Sequence, residues 1–481
     1  MKNKIYRLTL LAAAAAVLPM VSSCDDKHDD YVIPDSIPVA APVVSVANGD
    51  VLSIDVDEIT LTFDVPVALN SLVSITLNDS PLKAKVDAET RKVVTLEVDL
   101  AYATSYTLFV PGRAIAGIGH AAFADEITVN FTTEARTVID TNYDASLINT
   151  NATESAKAVY NMLLEQNGKK VLSGASAGDG NNNKFADWVS SHAGKYPALA
   201  CYDFLHHKRS GENWIDYTDI SAATAQWNAG GLVSYMWHWN VPTDEDAYNN
   251  KDWNKYAFYC EDTNFDIANA LTEGTWENKV ILEDIDQVAG YLKQLQEAGV
   301  PVIWRPLHEA AGSHKYNNPW FWWGRGGVQA TIDLWKLMYD RLVNHHGLNN
   351  LIWVWTAQWD AGYEAQMAEA YPGNEFVDIV GIDSYRNDGE TDEQYAARVA
   401  ESYAALNEMV GGKKMVAVSE CGYMIDYGTT VAATPWAWFM VWNSNITDNP
   451  AEDGFGNSTA WIKSVFENEN VINREDMPSF K

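Results

Sequence analysis

Two glutamates each end a short, apolar, β-like run of the sequence. Glu309 closes the segment 304–309 (WRPLHE), and Glu420 follows the segment 415–419 (MVAVS). Two carboxyl groups can cleave a glycosidic bond, because one protonates the departing oxygen while the other attacks the anomeric carbon or activates water. With 65 acidic residues in the chain, a glutamate at a strand end carries little weight by itself. The pair becomes a catalytic candidate only through its surroundings.

Aromatic residues crowd the sequence shortly after the first glutamate. The segment 320–324 reads WFWWG. Because aromatic faces stack on the apolar faces of sugar rings, this cluster predicts that Trp320 and Trp323 line sugar subsites. A packed hydrophobic core is the competing interpretation of the same cluster.

An α/β barrel would bring the two glutamates together. Beyond about residue 149, β-like runs alternate with helical patterns, which is typical of a parallel α/β fold. Eight runs are candidate strands: 170–173, 197–202, 232–236, 300–305, 351–355, 377–382, 415–419 and 436–441. They predict a (β/α)8 TIM barrel over residues 149–475. Functional groups of such barrels lie at the carboxyl ends of the strands, where Glu309 on the fourth run and Glu420 on the seventh would meet.

Residues 42–134 have a different pattern. Short runs rich in Val, Ile, Thr and Leu, separated by turn residues, predict an all-β sandwich; they cover 58–63, 72–77, 92–98, 105–110 and 126–131. Through the segments 63–67 (FDVPV) and 106–111 (YTLFVP), this region resembles bacterial Ig-like domains. The resemblance implies a spacer, and the scarcity of aromatic residues argues against a sugar-binding role.

The first 41 residues predict export and anchoring. A basic start and a short apolar run indicate a signal peptide over residues 1–23, and the segment 21–24 (VSSC) resembles a lipobox, which implies acylation of Cys24. The acidic stretch 25–30 resembles the surface-export tag of lipoproteins in the Bacteroides group, and residues 24–41 suit an extended tether. We therefore expect an exported lipoprotein, anchored in the outer membrane and exposed on the cell surface. A fortuitous cysteine after an ordinary signal peptide is the alternative.

Net charge and cysteine spacing exclude several functional classes. The formal charge of −32 argues against nucleic acids and acidic polysaccharides as partners and is compatible with a neutral polymer. Cys201, Cys260 and Cys421 have no CxxC spacing, so they indicate neither a zinc site nor a disulfide framework, although one pair could be bridged. The proposed chemistry requires no cofactor and no metal, and the sequence leaves the oligomeric state undetermined.

Taken together, the motifs resemble glycoside hydrolase family 26, which is best known for β-mannanases. The resemblance spans most of residues 150–470. Its motifs are RPLHE (305–309), WFWWG (320–324) and SECG (419–422), supported by MWHWN (236–240) and DIVGIDSY (378–385). It implies a retaining β-glycosidase that cleaves β-1,4-mannan, glucomannan or galactomannan.

The resemblance also implies roles for individual residues. Glu309 matches the acid/base of the family and Glu420 its nucleophile. Further residues match positions that bind the sugar or hold the catalytic pair: His238, His308, Trp320, Tyr385 and Trp436. Arg305, on the same strand as the acid, would keep Glu420 ionised. The segment 313–319 makes a longer loop than the family pattern has, which puts the position of Trp320 in doubt.

Several alternatives stay open or are excluded. The same mechanism could act on xylan or mixed-linkage β-glucan, and a non-catalytic surface glycan-binding lipoprotein could be built on the same barrel. A metalloprotease is excluded, because Gly312 stands where the second histidine of its motif would be. The histidine pairs 206–207 and 345–346 are expected at the surface rather than as metal ligands.

Overall fold

The computed structural model describes residues 36–480 apart from 137–138, 179–180, 209–214, 311–318, 359–367 and 443–456. Two compact units form the chain; one holds most of the N-terminal strands and the other holds the barrel. The predicted signal peptide, Cys24 and most of the predicted tether lie outside the described residues. Within the described part, no helix is long and apolar enough to cross a membrane.

The N-terminal region consists of β-strands. They are β1 (Val43–Val44), β2 (Val51–Leu52), β3 (Glu58–Thr62), β4 (Val67–Leu69), β5 (Thr76–Leu77), β6 (Ser80–Pro81), β7 (Lys83–Val86), β8 (Val93–Glu97), β9 (Ser105–Val110), β10 (Ile115–Gly117) and β11 (Ile127–Thr133). Their orders are β1-β3-β8-β7, β2-β11-β9-β5-β6 and β10-β4. Alternate residues of β11 are buried, as the sequence pattern predicts for a strand with one solvated face.

One of the predicted N-terminal runs is wrong in extent. The run 72–77 forms a strand only at its last two residues, β5. Asn70 explains the difference, because its side chain accepts a hydrogen bond from Leu72 N and its carbonyl accepts one from Val73 N. These bonds form a turn in which Leu72 is 91% exposed, so its side chain contributes nothing to the core. The Ig-like assignment of the region stays a prediction.

The second unit contains the remaining strands. They are β12 (Val171–Leu172), β13 (Gly174–Ser176), β14 (Leu199–Asp203), β15 (Leu232–Met236), β16 (Val241–Pro242), β17 (Tyr256–Ala257), β18 (Val302–Arg305), β19 (Leu351–Gln358), β20 (Ile379–Ser384), β21 (Met415–Cys421), β22 (Trp436–Val441) and β23 (Val471–Ile472).

Helices lie between the strands. They are α1 (Glu154–Gln166), α2 (Lys184–Ala193), α3 (Ser221–Asn228), α4 (Glu245–Asn250), α5 (Ile267–Ala270), α6 (Trp276–Glu297), α7 (Val328–Tyr339), α8 (Asp392–Met409), α9 (Tyr427–Thr430) and α10 (Thr459–Phe466), with a π-helical segment at Asp340–His345. α6 turns Ile285, Val288 and Leu292 inward, and each of the three is buried. The spacing of its apolar residues is therefore that of a helix covering a sheet.

The parallel strands close into a barrel. Their order is β13-β14-β15-β18-β19-β20-β21-β22, and pairing of β13 with β22 closes the ring. Seven of the eight predicted runs overlap a barrel strand; the first, 170–173, contains β12, which pairs with β22 and β23, whereas the barrel strand β13 begins only at Gly174. The strands are parallel, so their carboxyl ends meet on one rim. There the register aligns Asp203 with Met236, Met236 with Arg305, and Asp383 with Glu420.

Candidate active site

Glu309 projects from a strained turn at the end of β18. Leu307 and Glu309 both have left-handed backbones, with φ of 50° and 58°, a conformation that costs energy for residues other than glycine. The turn is held by the backbone of β19, because Glu309 N donates to Thr356 O at 3.1 Å. The side chain of Glu309 is consequently directed by the fold.

An apolar and aromatic environment surrounds the carboxyl group of Glu309. The residue is buried, and Trp320 donates its indole N–H to Glu309 Oε2 at 2.9 Å. Burial and the neighbouring carboxylate of Glu420 raise the pKa of Glu309 to about 7, against the opposing influence of Arg305 and His238. Glu309 can therefore carry a proton near neutral pH.

Glu420 reaches the rim through an irregularity in β21. The register between β20 and β21 shifts after Ile382, so that Ser419 has no aligned partner and Glu420 faces Asp383. Such a bulge redirects side chains. Gly381 makes it possible, because a Cβ at this position would lie 1.9 Å from Ser419 Oγ.

Hydrogen-bond donors hold both oxygens of Glu420. Arg305 Nη2 donates to Oε2 at 2.7 Å, and the hydroxyl of Tyr385 donates to Oε1. Burial and the charge of Glu420 hold the pKa of Tyr385 well above its usual range, so the phenol keeps its proton. Glu420 thus has a hydrogen-bond donor on each of its two oxygens.

Arg305 connects two buried carboxylates. Its Nη1 donates to Asp383 Oδ2 at 2.6 Å while Nη2 binds Glu420. Burial alone would lower the pKa of Arg305, but the two carboxylates raise it above its ordinary value. His308, Asp383 and Glu420 are close enough to ligate a metal ion, yet the guanidinium already supplies the positive charge between the two carboxylates.

Two histidines complete the floor of the site. His238 Nδ1 lies 2.6 Å from Asp203 Oδ2, and His238 Nε2 lies 3.2 Å from His308 Nε2. Burial followed by the charges of Arg305 and His238 lowers the pKa of His308 well below its usual range. His308 is therefore a neutral imidazole.

These groups open into one cleft of about 280 Å³. It is lined by Leu205, His238, Phe258, Tyr259, His308, Glu309, Phe321, Tyr385, Glu420 and Trp442. A carboxyl group with a raised pKa and a carboxyl group bound by a guanidinium and a phenol thus share a cavity with aromatic walls. This arrangement can deliver a proton and a nucleophile to one bond of a neutral, ring-shaped ligand.

Two of the tryptophans that were predicted to contact sugar, Trp436 and Trp323, do not line the cleft. Trp436 begins β22, so it lies at the amino end of the strand, opposite the catalytic rim, where it is fully buried against Tyr403. Trp323 is also fully buried and donates its indole N–H to the backbone oxygen of His308 at 2.9 Å. Its role is to support the floor, and the packed-core interpretation holds for this residue.

The tryptophan of this region that lines the cleft is Trp442 and not Trp436. Trp442 follows the last residue of β22 and lines the cleft, with its ring centroid 5.7 Å from that of His238. The same rule that selects Glu309 and Glu420, a residue just beyond the carboxyl end of a strand, would have selected it. Sequence reasoning also missed Asp203 and Asp383, which are the last or nearly the last residues of their strands.

Five other residues predicted for the site lie close to Glu309 and Glu420. His238, Arg305, His308, Trp320 and Tyr385 all contact the catalytic pair or line its cleft. Most of the predicted loop insertion, 313–318, lies outside the described residues. The three cysteines of the described part, Cys201, Cys260 and Cys421, are free and buried.

The histidine pairs are only partly at the surface. His345 is exposed, but His207 is buried, with its Nε2 3.9 Å from Asp284. Its strand-end position between barrel and helix α6 explains the burial. His345 and His346 lie near Asp286, whose carboxylate already pairs with the guanidinium of Arg341 at 2.6 Å.

Comparison with known proteins gives a consistent picture. The model of glycosyl hydrolase family 26 matches residues 148–476. A mannan endo-1,4-beta-mannosidase A of Piromyces sp is 32% identical over 418 residues, covering 85% of this chain and 62% of that protein. A mannan endo-1,4-beta-mannosidase of Thermothelomyces thermophilus is 36% identical over 345 residues, covering 70% and 64%. The chain spans less than two thirds of the length of both relatives.

Solved structures resemble the barrel closely. A beta-mannanase from a symbiotic protist of the termite Reticulitermes speratus, complexed with gluco-manno-oligosaccharide, has 34% identity and a TM-score of 0.60, covering 71% of this chain and 99% of that one. The GH26 domain of an endo-beta-mannanase/endo-beta-glucanase from Prevotella bryantii has 33% identity and a TM-score of 0.60, covering 70% and 100%.

Proposed function

Because the chain belongs to glycosyl hydrolase family 26, we propose that it is a retaining endo-β-1,4-mannanase with Glu309 as acid/base and Glu420 as nucleophile. The observation that carries the proposal is the contrast within one cleft. Glu309 is buried with a pKa of about 7, whereas Arg305 and Tyr385 hold Glu420 as a carboxylate. Retaining glycosidases need this division between two carboxyl groups.

In the first step, a Glu420 oxygen attacks the anomeric carbon. The bond between that carbon and the glycosidic oxygen breaks, and the departing oxygen takes the proton of Glu309. The product is a sugar ester of Glu420 and an ionised Glu309. When the ester breaks again, the carboxylate of Glu420 is released to the donors that hold it, Arg305 and Tyr385.

The second step reverses the roles. The Glu309 carboxylate takes a proton from a water molecule, whose oxygen attacks the anomeric carbon and releases Glu420. Both catalytic groups return to their starting protonation states, and the anomeric configuration is retained. His238, Trp320 and Trp442 would contact the sugar beside the cleavage point, since they flank the two carboxyl groups.

The assignment of β-mannan as substrate rests on the relatives. Proteins named mannan endo-1,4-beta-mannosidase share 32% and 36% identity with this chain. Glucomannan and galactomannan contain the same backbone sugar and are included in the proposal. Xylan or mixed-linkage glucan would keep the mechanism, because the fold alone does not determine which sugar the cleft accepts.

We also propose that the enzyme is an exported lipoprotein, acylated at Cys24, displayed at the cell surface, with residues 42–134 as an Ig-like spacer. The support is the lipobox-like segment 21–24 and the acidic stretch that follows it. Metabolic labelling with an alkynyl fatty acid should mark the wild type and leave Cys24→Ser unlabelled. Equal labelling of the wild type and Cys24→Ser would contradict acylation at Cys24.

Reducing-sugar release tests the enzymatic proposal. The mature protein should release reducing ends from β-mannan, and Glu309→Ala and Glu420→Ala should not. Release from β-xylan or mixed-linkage β-glucan instead would overturn the substrate. Retardation on polysaccharide gels without release would make the chain a non-catalytic glycan-binding lipoprotein.

A further inference from the structure

Both carboxylate oxygens of Asp203 form a hydrogen bond with the same residue, His238. Its Oδ1 accepts from the backbone N–H of His238 at 3.0 Å, and its Oδ2 lies 2.6 Å from His238 Nδ1. Asp203 is the last residue of β14, and strand pairing aligns it with Met236, two residues before His238. The carboxylate is therefore fixed by the barrel and faces the imidazole edge-on.

This geometry places a proton on Nδ1 of His238 and leaves two arrangements for Nε2. An ionised carboxylate can only accept, so Nδ1 of His238 carries a proton. The other nitrogen, Nε2, lies 3.2 Å from His308 Nε2, and one of these two nitrogens must donate. His308 is neutral, for the reasons given above. A protonated His238 that donates to Asp203 and to His308 satisfies both contacts, and a neutral His238 that donates to Asp203 and accepts from His308 Nε2 satisfies them as well; the negative charge of Asp203 at 2.6 Å favours the protonated form.

We propose that Asp203 is a positioning residue that holds His238 as an imidazolium beside Glu309 and so sets the pH range over which Glu309 can act. The inference rests on the proposed role of Glu309 as acid/base. Asp203 acts through His238 and is not itself assigned any contact with the sugar. Burial alone would lower the pKa of His238, but Asp203 outweighs it and raises the pKa.

The charged and titratable groups that face His238 come from three barrel strands, β14, β18 and β21, and from the turn after β18. They are Asp203, Arg305, His308, Glu309 and Glu420. Aromatic residues enclose the rest of the ring: Phe258, Phe321 and Trp442. In this water-poor setting, a positive charge on His238 stabilises the ionised form of Glu309 and limits the rise of its pKa.

The substitution Asp203→Asn removes the negative charge of the side chain and keeps its shape. The amide oxygen can accept from His238 N–H, and the amide NH₂ can donate to an unprotonated Nδ1, which leaves a neutral His238 that still donates from Nε2 to His308. Loss of the positive charge raises the proton affinity of Glu309. We expect the alkaline limb of the kcat/KM profile on β-mannan to move to higher pH, by on the order of one pH unit.

A matched control exists on the outer helix α6. Asp286 accepts from His346 Nε2 at 2.6 Å, so Asp286→Asn makes the same change in an Asp–His pair outside the cleft. Its alkaline limb should coincide with that of the wild type. Asp203→Glu restores a carboxylate and should return the limb at least part of the way. An unchanged limb in Asp203→Asn, or a limb that Asp203→Glu leaves displaced, would overturn the proposal.

Histidine NMR tests the same proposal without substrate. In the wild type, ¹⁵N spectra assigned with His238→Gln should show His238 as an imidazolium to higher pH than an ordinary histidine, and Asp203→Asn should lower that midpoint. A His238 that is neutral below its ordinary pKa in the wild type would overturn the proposal. A wild type that is inactive on mannan would refute the proposed function and leave this titration result standing, so the two failures are distinguishable.

Discussion

The two sides of the cleft present the same chemical group in opposite settings. On the acid side, Glu309 stands on a strained turn among aromatic rings and accepts a hydrogen bond from the neutral indole of Trp320. On the nucleophile side, Glu420 stands on a bulged strand, with a guanidinium and a phenol on its two oxygens. Burial is nearly equal, since Glu309 is 8% exposed and Glu420 5%. The donors and the positive charge distinguish them.

The difference teaches that burial alone does not assign a role to a carboxyl group. Removing a carboxylate from water raises its pKa, and only specific donors reverse the effect. The barrel supplies those donors from nearby strands, because Arg305 ends β18 and Tyr385 follows β20, while Glu420 is the last but one residue of β21. Changes that make the two sides more alike should therefore impair catalysis in proportion to the contrast they remove.

The largest effect is expected from Glu420→Gln. The amide keeps the size of the side chain but can neither attack the anomeric carbon nor pair with Arg305. We expect kcat/KM on β-mannan to fall by at least about 10³-fold, as measured by reducing-sugar release. Residual activity within about tenfold of the wild type would place the nucleophile elsewhere.

Tyr385→Phe should remove one of the two donors to Glu420 and leave the other, Arg305, in place. The variant removes the hydroxyl that donates to Glu420, and a hydrogen bond to a charged group is worth about 1.5–3 kcal/mol, or about 10- to 100-fold in rate. We expect that loss in kcat. Tyr371→Phe is the control, because its hydroxyl binds Asn374 near the amino end of β20, away from the cleft. Equal losses in both variants would assign Tyr385 a structural role only.

Trp442 and Trp436 give a test at the two ends of one strand. Trp442→Ala removes a cleft wall, and we expect KM for mannan oligosaccharides to rise about 2- to 10-fold, the range of one aromatic stacking contact. Trp436→Phe should change KM by less than about twofold while lowering the melting temperature, because a buried ring is reduced in size. A higher KM in Trp436→Phe, with no change of KM in Trp442→Ala, would show that Trp436 contacts the sugar.

The smallest effect is expected from Trp320→Phe, and it is a shift in pH. The wild type should lose kcat/KM as pH rises through about 7, because Glu309 then loses the proton that it must donate. The indole N–H favours the ionised form of Glu309, so its removal should move this alkaline limb upward by a few tenths of a pH unit. A downward shift would show that Trp320 stabilises the protonated form instead.

Much of the barrel and the catalytic pair could be predicted from the sequence, because strand ends follow a simple rule. The β-like runs before Glu309 and Glu420 are long enough to recognise, and the rim position follows from parallel pairing. The prediction that Trp436 contacts sugar failed because this residue begins its strand. A residue that begins a strand lies at the opposite end of the barrel from one that follows it, and the family motif did not distinguish Trp436 from Trp442.

Other parts of the site could not be read from the sequence. Asp203 and Asp383 become significant only through strand register, which sets Asp203 beside the strand of His238 and Asp383 opposite Glu420. The buried position of Trp323 likewise depends on the hydrogen bond from its indole N–H to the backbone oxygen of His308. These are contacts between residues distant in sequence, and a single sequence carries no pattern for them.

The most direct test of the opposed roles is dinitrophenol release from an activated aryl β-mannoside, followed in the pre-steady state with Glu309→Ala and Glu420→Ala. Dinitrophenolate leaves without a proton, so Glu309→Ala should show a rapid burst and then slow turnover while remaining inactive on mannan. Glu420→Ala should show no burst. A burst in Glu420→Ala and none in Glu309→Ala would contradict the assignment of the two carboxyl groups.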